Sequence, residues 1–202
     1  VKRSAVTRRR TVLALLLGFH AGCAREAPAS QACAPCREKS FRDEARAAKV
    51  ASHWKRVPPG LGGIMGELSP GCLCFGPGPS VLIEGENSVL PSDWTPEEQA
   101  ARAAHFALHR RRPPWDAAAA GLDCDARVVR ALELEADGYA LELDVREALT
   151  VSTRRYPFEA EYFATPAPAR REWLGTHFRA DEPRDGVVAG LVVEYRARCR
   201  DR

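Results

Sequence analysis

The chain has 202 residues, 45% hydrophobic and 28% charged, which suits one medium soluble domain plus a short extra segment. Its net charge of +3 comes from the N-terminus: residues 1–22 hold Lys2, Arg3, Arg8, Arg9 and Arg10 and no acid, and the remaining 25 basic and 27 acidic side chains balance at −2. That excludes a basic nucleic-acid surface, and the excess of arginine over lysine, 26 to 4, reads as the coding bias of a GC-rich genome.

Arg8-Arg9-Arg10 precedes the short apolar run Thr11–Phe19. A positive segment followed by such a run is the pattern of a secretory signal, expected over residues 1–22. The run is far below the ~20 residues of a membrane span. Arg9-Arg10-Thr11-Val12-Leu13 also resembles a twin-arginine signal, and an ordinary basic n-region fits as well. The run ends at His20-Ala21-Gly22-Cys23, which resembles the lipobox of bacterial lipoproteins. Ala21, Gly22 and Cys23 fit that pattern; His20 departs from its usual aliphatic residue. The resemblance implies that Cys23 is lipidated and that the chain is anchored in the cell envelope. An ordinary cleaved signal with a chance cysteine is the alternative. The expected layout is a signal peptide at 1–22, a linker at 23–37 and one disulfide-stapled domain at 38–202. Ala24–Gln31, rich in Ala, Pro and Ser, has the composition of a tether.

Seven cysteines is an odd count. With Cys23 set aside, Cys33, Cys36, Cys72, Cys74, Cys124 and Cys199 form an even set, which in an exported chain predicts up to three disulfides. The pairing stays open. Zinc binding by Cys33, Cys36, Cys72 and Cys74 is the competing use, which oxidising surroundings disfavour.

Residues 38–55 read as a helix with charged faces, stopped by Pro58-Pro59-Gly60. Residues 56–80 are rich in Gly and Pro and read as a pinned loop. Val81–Glu84 and Ser88–Leu90 are strand candidates joined by a Gly85-Glu86-Asn87 turn. Thr95, Pro96 and Glu98 then open a helix with a capping box, running to Arg112 before Pro113-Pro114. Asp123-Cys124-Asp125 caps a longer helix to Leu149 with two apolar stripes. Val129, Leu132, Ala136, Tyr139 and Leu143 form one stripe; Leu134, Gly138, Leu141 and Val145 form the other. Glu133 and Asp137 fall on the strip between them, and Glu135 and Glu142 on the opposite, solvated side. Phe158–Phe163, Ala167–Phe178 and Val187–Cys199 read as further helices between proline breaks. The expected fold is α+β, mostly α: a small hairpin or sheet, a helix pair, then C-terminal helices.

His105 and His109 stand at i, i+4, so they share one face of their helix. Glu133 follows by 24 residues, room for an antiparallel return. Two histidines from one helix and a carboxylate from the next suit zinc with one open position. Asp137 is placed to orient a ligand histidine through its other ring nitrogen. This arrangement resembles the gluzincin peptidases, whose pattern is His-Glu-x-x-His followed by Glu-x-x-Ala-Asp. Glu133-Leu134-Glu135-Ala136-Asp137 matches the second motif, and the strands before the first helix match the expected order, over about residues 81–149. Phe106 stands where the family has the glutamate that activates the zinc-bound water, and phenylalanine cannot take a proton. The resemblance therefore implies a pseudopeptidase with no catalytic residue. Its metal ligands would be His105, His109 and Glu133, supported by Asp137; a site freed from catalysis can lose its metal, so the expectation is no bound cofactor, with zinc as the one alternative.

The leading expectation is an exported, lipid-anchored envelope protein acting in binding or structure. Its partners would be the membrane, through the lipid, and an envelope component; nucleic acid is excluded. The alternatives are a zinc-dependent hydrolase and a structural helical domain that never bound metal. His53 and His177, and the tryptophans at 94, 115 and 173, read as packing residues.

Overall fold

The computed structural model describes residues 33, 35–36, 39–78, 83–84, 87–112, 120–179, 183 and 185–200. The expected signal peptide, the lipobox-like segment with Cys23 and the expected Ala24–Gln31 tether lie outside these residues. Those described belong to a single unit, Cys33–Arg202. The fold is α+β and mostly helical.

Helix α1 (Glu44–Trp54) begins where the Asp43 carboxylate accepts the Arg46 N–H. The sequence reading started it at residue 38. Lys39, at φ 69°, and the bridge between Phe41 and Phe75 hold the preceding chain in a non-helical path. The Gly/Pro-rich stretch after α1 contains a one-turn helix α2 (Pro59–Gly62) and two 3-10 turns, Met65–Glu67 and Pro70–Cys72. It then enters strand β1 (Leu73–Gly76), which the loop-like composition concealed.

β2 (Ile83–Glu84) and β3 (Asn87–Pro91) form the expected hairpin, with Glu84 opposite Asn87. β1 runs parallel to β3 on its other side, Leu73 opposite Ser88, giving the order β1-β3-β2. Two disulfides fasten the N-terminal end of the domain to β1 and the turn before it, Cys36–Cys74 and Cys33–Cys72. Four of the six candidate cysteines are thereby paired, and the last part of the expected 23–37 linker is bonded to the domain. Cys124 and Cys199 are not bridged in this structure.

Helix α3 (Pro96–Arg111) opens with the expected capping box: Glu98 N–H donates to Thr95 Oγ1, and Thr95 N–H donates to the Glu98 carboxylate. Ala100, Ala101, Ala103, Ala104 and Ala107 are all fully buried, so α3 is covered on most sides and its neighbours approach closely. Helix α4 (Cys124–Ala148) starts at Asp123, whose carboxylate accepts the Ala126 N–H.

α4 is the central element. Leu141, Val145 and Leu149 join one apolar core with α1, the sheet and α3. Leu132, Ala136, Tyr139 and Leu143 join a second with the later helices α5 (Glu159–Ala164), α6 (Arg170–Phe178) and α7 (Gly186–Arg200). The two-stripe reading of this helix therefore holds in outline, although Val129 is exposed. Among the described residues no helix is long and apolar enough to cross a membrane.

Candidate metal centre

α3 and α4 pack antiparallel, as their contacts show: Arg102 meets Glu142 while Arg112 meets Asp137. His105 sits at the middle of this contact, 1% exposed in its side chain. Its ring lies directly over Gly138. A Cβ on that glycine would come within 2.7–2.9 Å of three ring atoms. The missing side chain is what allows the ring to lie there.

Around that point the His105 ring makes four polar contacts. Nε2 lies 2.9 Å from His109 Nε2 and 3.2 Å from Glu135 Oε2. Nδ1 lies 3.2 Å from the Arg102 guanidinium and 3.5 Å from Glu142 Oε2. His109 Nε2 is in turn 3.7 Å from Glu135 Oε1. His105, His109 and Glu135 thus bring three ligand-type atoms together, all within 4.8 Å of one another. Tyr195 of α7 donates its hydroxyl to Glu135 Oε1 at 2.6 Å and fixes the carboxylate from the far side.

The carboxylate at the histidines is Glu135, not Glu133. Glu133 faces outward and pairs with Arg130 at 3.0 Å and Arg179 at 3.3 Å. Asp137 pairs with Arg112 at 2.6 Å and with Arg171, and does not orient a histidine. The reason is helical phase. The face of α4 that meets α3 is centred on Gly138, and Glu135 and Glu142 flank it at i−3 and i+4. The sequence reading assigned Gly138 to an apolar stripe and so turned both glutamates to solvent. A Glu-x-x-Gly-x-x-x-Glu face opposite a buried histidine was the signal available.

The electrostatics follow from burial. Burial alone would push the Glu135 carboxyl up. Hydrogen bonds from His105 and His109, with their charge, outweigh it and hold it well below the usual carboxylate range. Burial draws the His109 imidazole down, helped by the charges of His105 and Arg102 and opposed by Glu135. Burial likewise raises Glu142, but the Arg102 charge and the His105 hydrogen bond bring it to about 2. Arg102 stacks over the Phe106 and Tyr139 rings at 5.0 and 5.1 Å. Phe106 itself lies in the first apolar core, 3% exposed.

The donor set fits a small divalent cation. The two histidine nitrogens are 2.9 Å apart and meet different oxygens of Glu135, His105 Nε2 at 3.2 Å from Oε2 and His109 Nε2 at 3.7 Å from Oε1. Taken one atom per residue, the three lie within 4.8 Å, close enough for two imidazoles and a carboxylate to converge on one ion. Side-chain exposures of 20% for His109 and 13% for Glu135 leave the cluster a narrow opening. Other carboxylates close by are engaged: Glu142 by Arg102 and Tyr156, Glu98 by Arg155, Asp137 by Arg112. His177, away from the cluster, bonds Asp185 at 2.6 Å and stacks on Trp173, a packing role as expected. In comparison with known proteins, the chain matches no family profile, no curated protein and no solved structure.

Proposed function

We propose that this chain is an exported bacterial lipoprotein whose domain carries a non-hydrolytic zinc centre of gluzincin-like ancestry, acting in binding or structure. The observation that carries the metal reading is the convergence of His105 Nε2, His109 Nε2 and the Glu135 carboxylate, three ligand-type atoms within 4.8 Å of one another. His105, His109 and Glu135 would hold the ion, with Tyr195 and Glu142 fixing the donors. Bound by these residues, zinc would supply a Lewis-acidic position open to one exogenous ligand. Hydrolysis would also need a free general base. Phe106 is buried among apolar residues, and the neighbouring carboxylates are tied to arginines.

Protein purified without a histidine tag is expected to hold about one equivalent of zinc by elemental analysis. His105→Ala and Glu135→Ala should empty the site, whereas Glu133→Ala should not. Parent protein with less than about a tenth of an equivalent, even after zinc is supplied, would leave only a buried hydrogen-bond network and end the metal reading. Chelator-sensitive cleavage of a peptide library would overturn the non-hydrolytic part.

The anchor rests on Ala21-Gly22-Cys23 behind the apolar run. Cys23→Ala should move the protein from the membrane fraction to the soluble fraction of a bacterial host. Unchanged partition, with no acyl mass on the parent, would refute lipidation.

A further inference from the structure

We infer that Cys124 and Cys199 form a third disulfide, which clamps α7 against α4. Cys124 is the first residue of α4, and Cys199 lies in the last turn of α7. The Cys199 thiol donates to the Cys124 carbonyl oxygen at 3.6 Å. The neighbouring Cys199 side chain is also the main cause that raises the Cys124 thiol above its ordinary value. A cysteine sulfur this close to the partner cysteine's own backbone puts the two residues in the range from which a disulfide forms. Both cysteines line a hollow of about 270 Å³ with Leu122 and Arg127, so an oxidant can approach them. The domain already holds two disulfides, which places it in oxidising surroundings.

The chemistry is thiol–disulfide exchange with an acceptor disulfide, either an oxidoreductase's or glutathione disulfide. One cysteine thiolate attacks the acceptor, forming a mixed disulfide and releasing one acceptor thiol. The second cysteine thiolate attacks the protein sulfur of that mixed disulfide. This forms Cys124–Cys199 and releases the second acceptor thiol. The acceptor is reduced, the two cysteines are oxidised, and both protons end on the released thiols.

The clamp has a specific place in the fold. Tyr195 lies one turn before Cys199 on the same face of α7, and it is the residue that holds Glu135. The bridge therefore fixes the helix that supports the histidine cluster. It stands independently of whether that cluster binds metal.

Protein exported by a bacterial host and kept without reductant is denatured and treated with a maleimide. Cys124→Ser and Cys199→Ser should each gain one labelled thiol over the parent, and the double variant should label like the parent. As a check that needs no variant, the parent's intact mass should rise on reduction by the hydrogens of three bridges rather than two. Loss of a bridge spanning 75 residues should also lower Tm by roughly 5–15 °C. A parent that labels at two more sites than the double variant, with a mass change for two bridges, would overturn the inference.

Discussion

Glu142→Ala is expected to lower the stability of the domain by about 3–5 kcal/mol. The Glu142 side chain has no exposed surface, and it accepts the Arg102 guanidinium at 2.8 Å and the Tyr156 hydroxyl at 2.7 Å. Removing it leaves Arg102, itself 7% exposed, as a buried cation facing two aromatic rings and a histidine. An unpaired charge in that position costs far more than the pair contributes, because desolvation is no longer offset. A domain of this size has roughly 5–15 kcal/mol in total, so the variant stands near the edge of folding. The effect is read as a fall in denaturation midpoint at unchanged slope. The joint change Arg102→Met with Glu142→Leu should recover most of the loss. A single-variant loss below about 1 kcal/mol would mean that water reaches Arg102 and that the pair is not a buried one.

Gly138→Ala is the second large effect, and its sign runs against helix propensity. Alanine in place of a mid-helix glycine ordinarily gains about 1 kcal/mol. Here the added methyl meets Nε2, Cε1 and Cδ2 of His105 at 2.7, 2.8 and 2.9 Å. That ring cannot swing away freely, because Arg102, Glu135, Glu142 and His109 hold it from both nitrogens. The expected result is a net loss of about 1–3 kcal/mol from overpacking, together with loss of the zinc binding proposed for this site. Gly190→Ala on α7, with nothing within 4 Å of the new methyl, is the control and should be neutral or stabilising. Equal behaviour of the two variants would show that the close approach of His105 to α4 is not what keeps residue 138 a glycine.

The local signals in the sequence translated well into structure. Thr95 with Glu98, and Asp123 ahead of its helix, each placed a start where the backbone begins to turn, because a cap acts within its own first turn. The hairpin partners of β2 and β3 were legible for the same reason. β1 was not, because its parallel pairing with β3 depends on chain fifteen residues away, and its own Gly and Pro neighbours look like loop. The site was half legible. The i, i+4 spacing brought His105 and His109 together without reference to anything else. Choosing Glu135 over Glu133 required the rotation of α4 about its own axis. That rotation is set by Gly138 receiving a ring from α3, a contact between helices that no single-helix pattern contains.

The position of α4 between two apolar cores has a consequence for how damage spreads. Leu141 and Val145 face one core, and Tyr139 and Leu143 face the other, within two turns of the same rod. Neither core has a wall of its own on that side. Tilting or fraying the rod opens both at once, so the sheet half and the C-terminal helix half cannot fail separately. The domain is therefore expected to unfold as one cooperative block, with the histidine pair, packed against the rod's midpoint, among the last places to feel local opening.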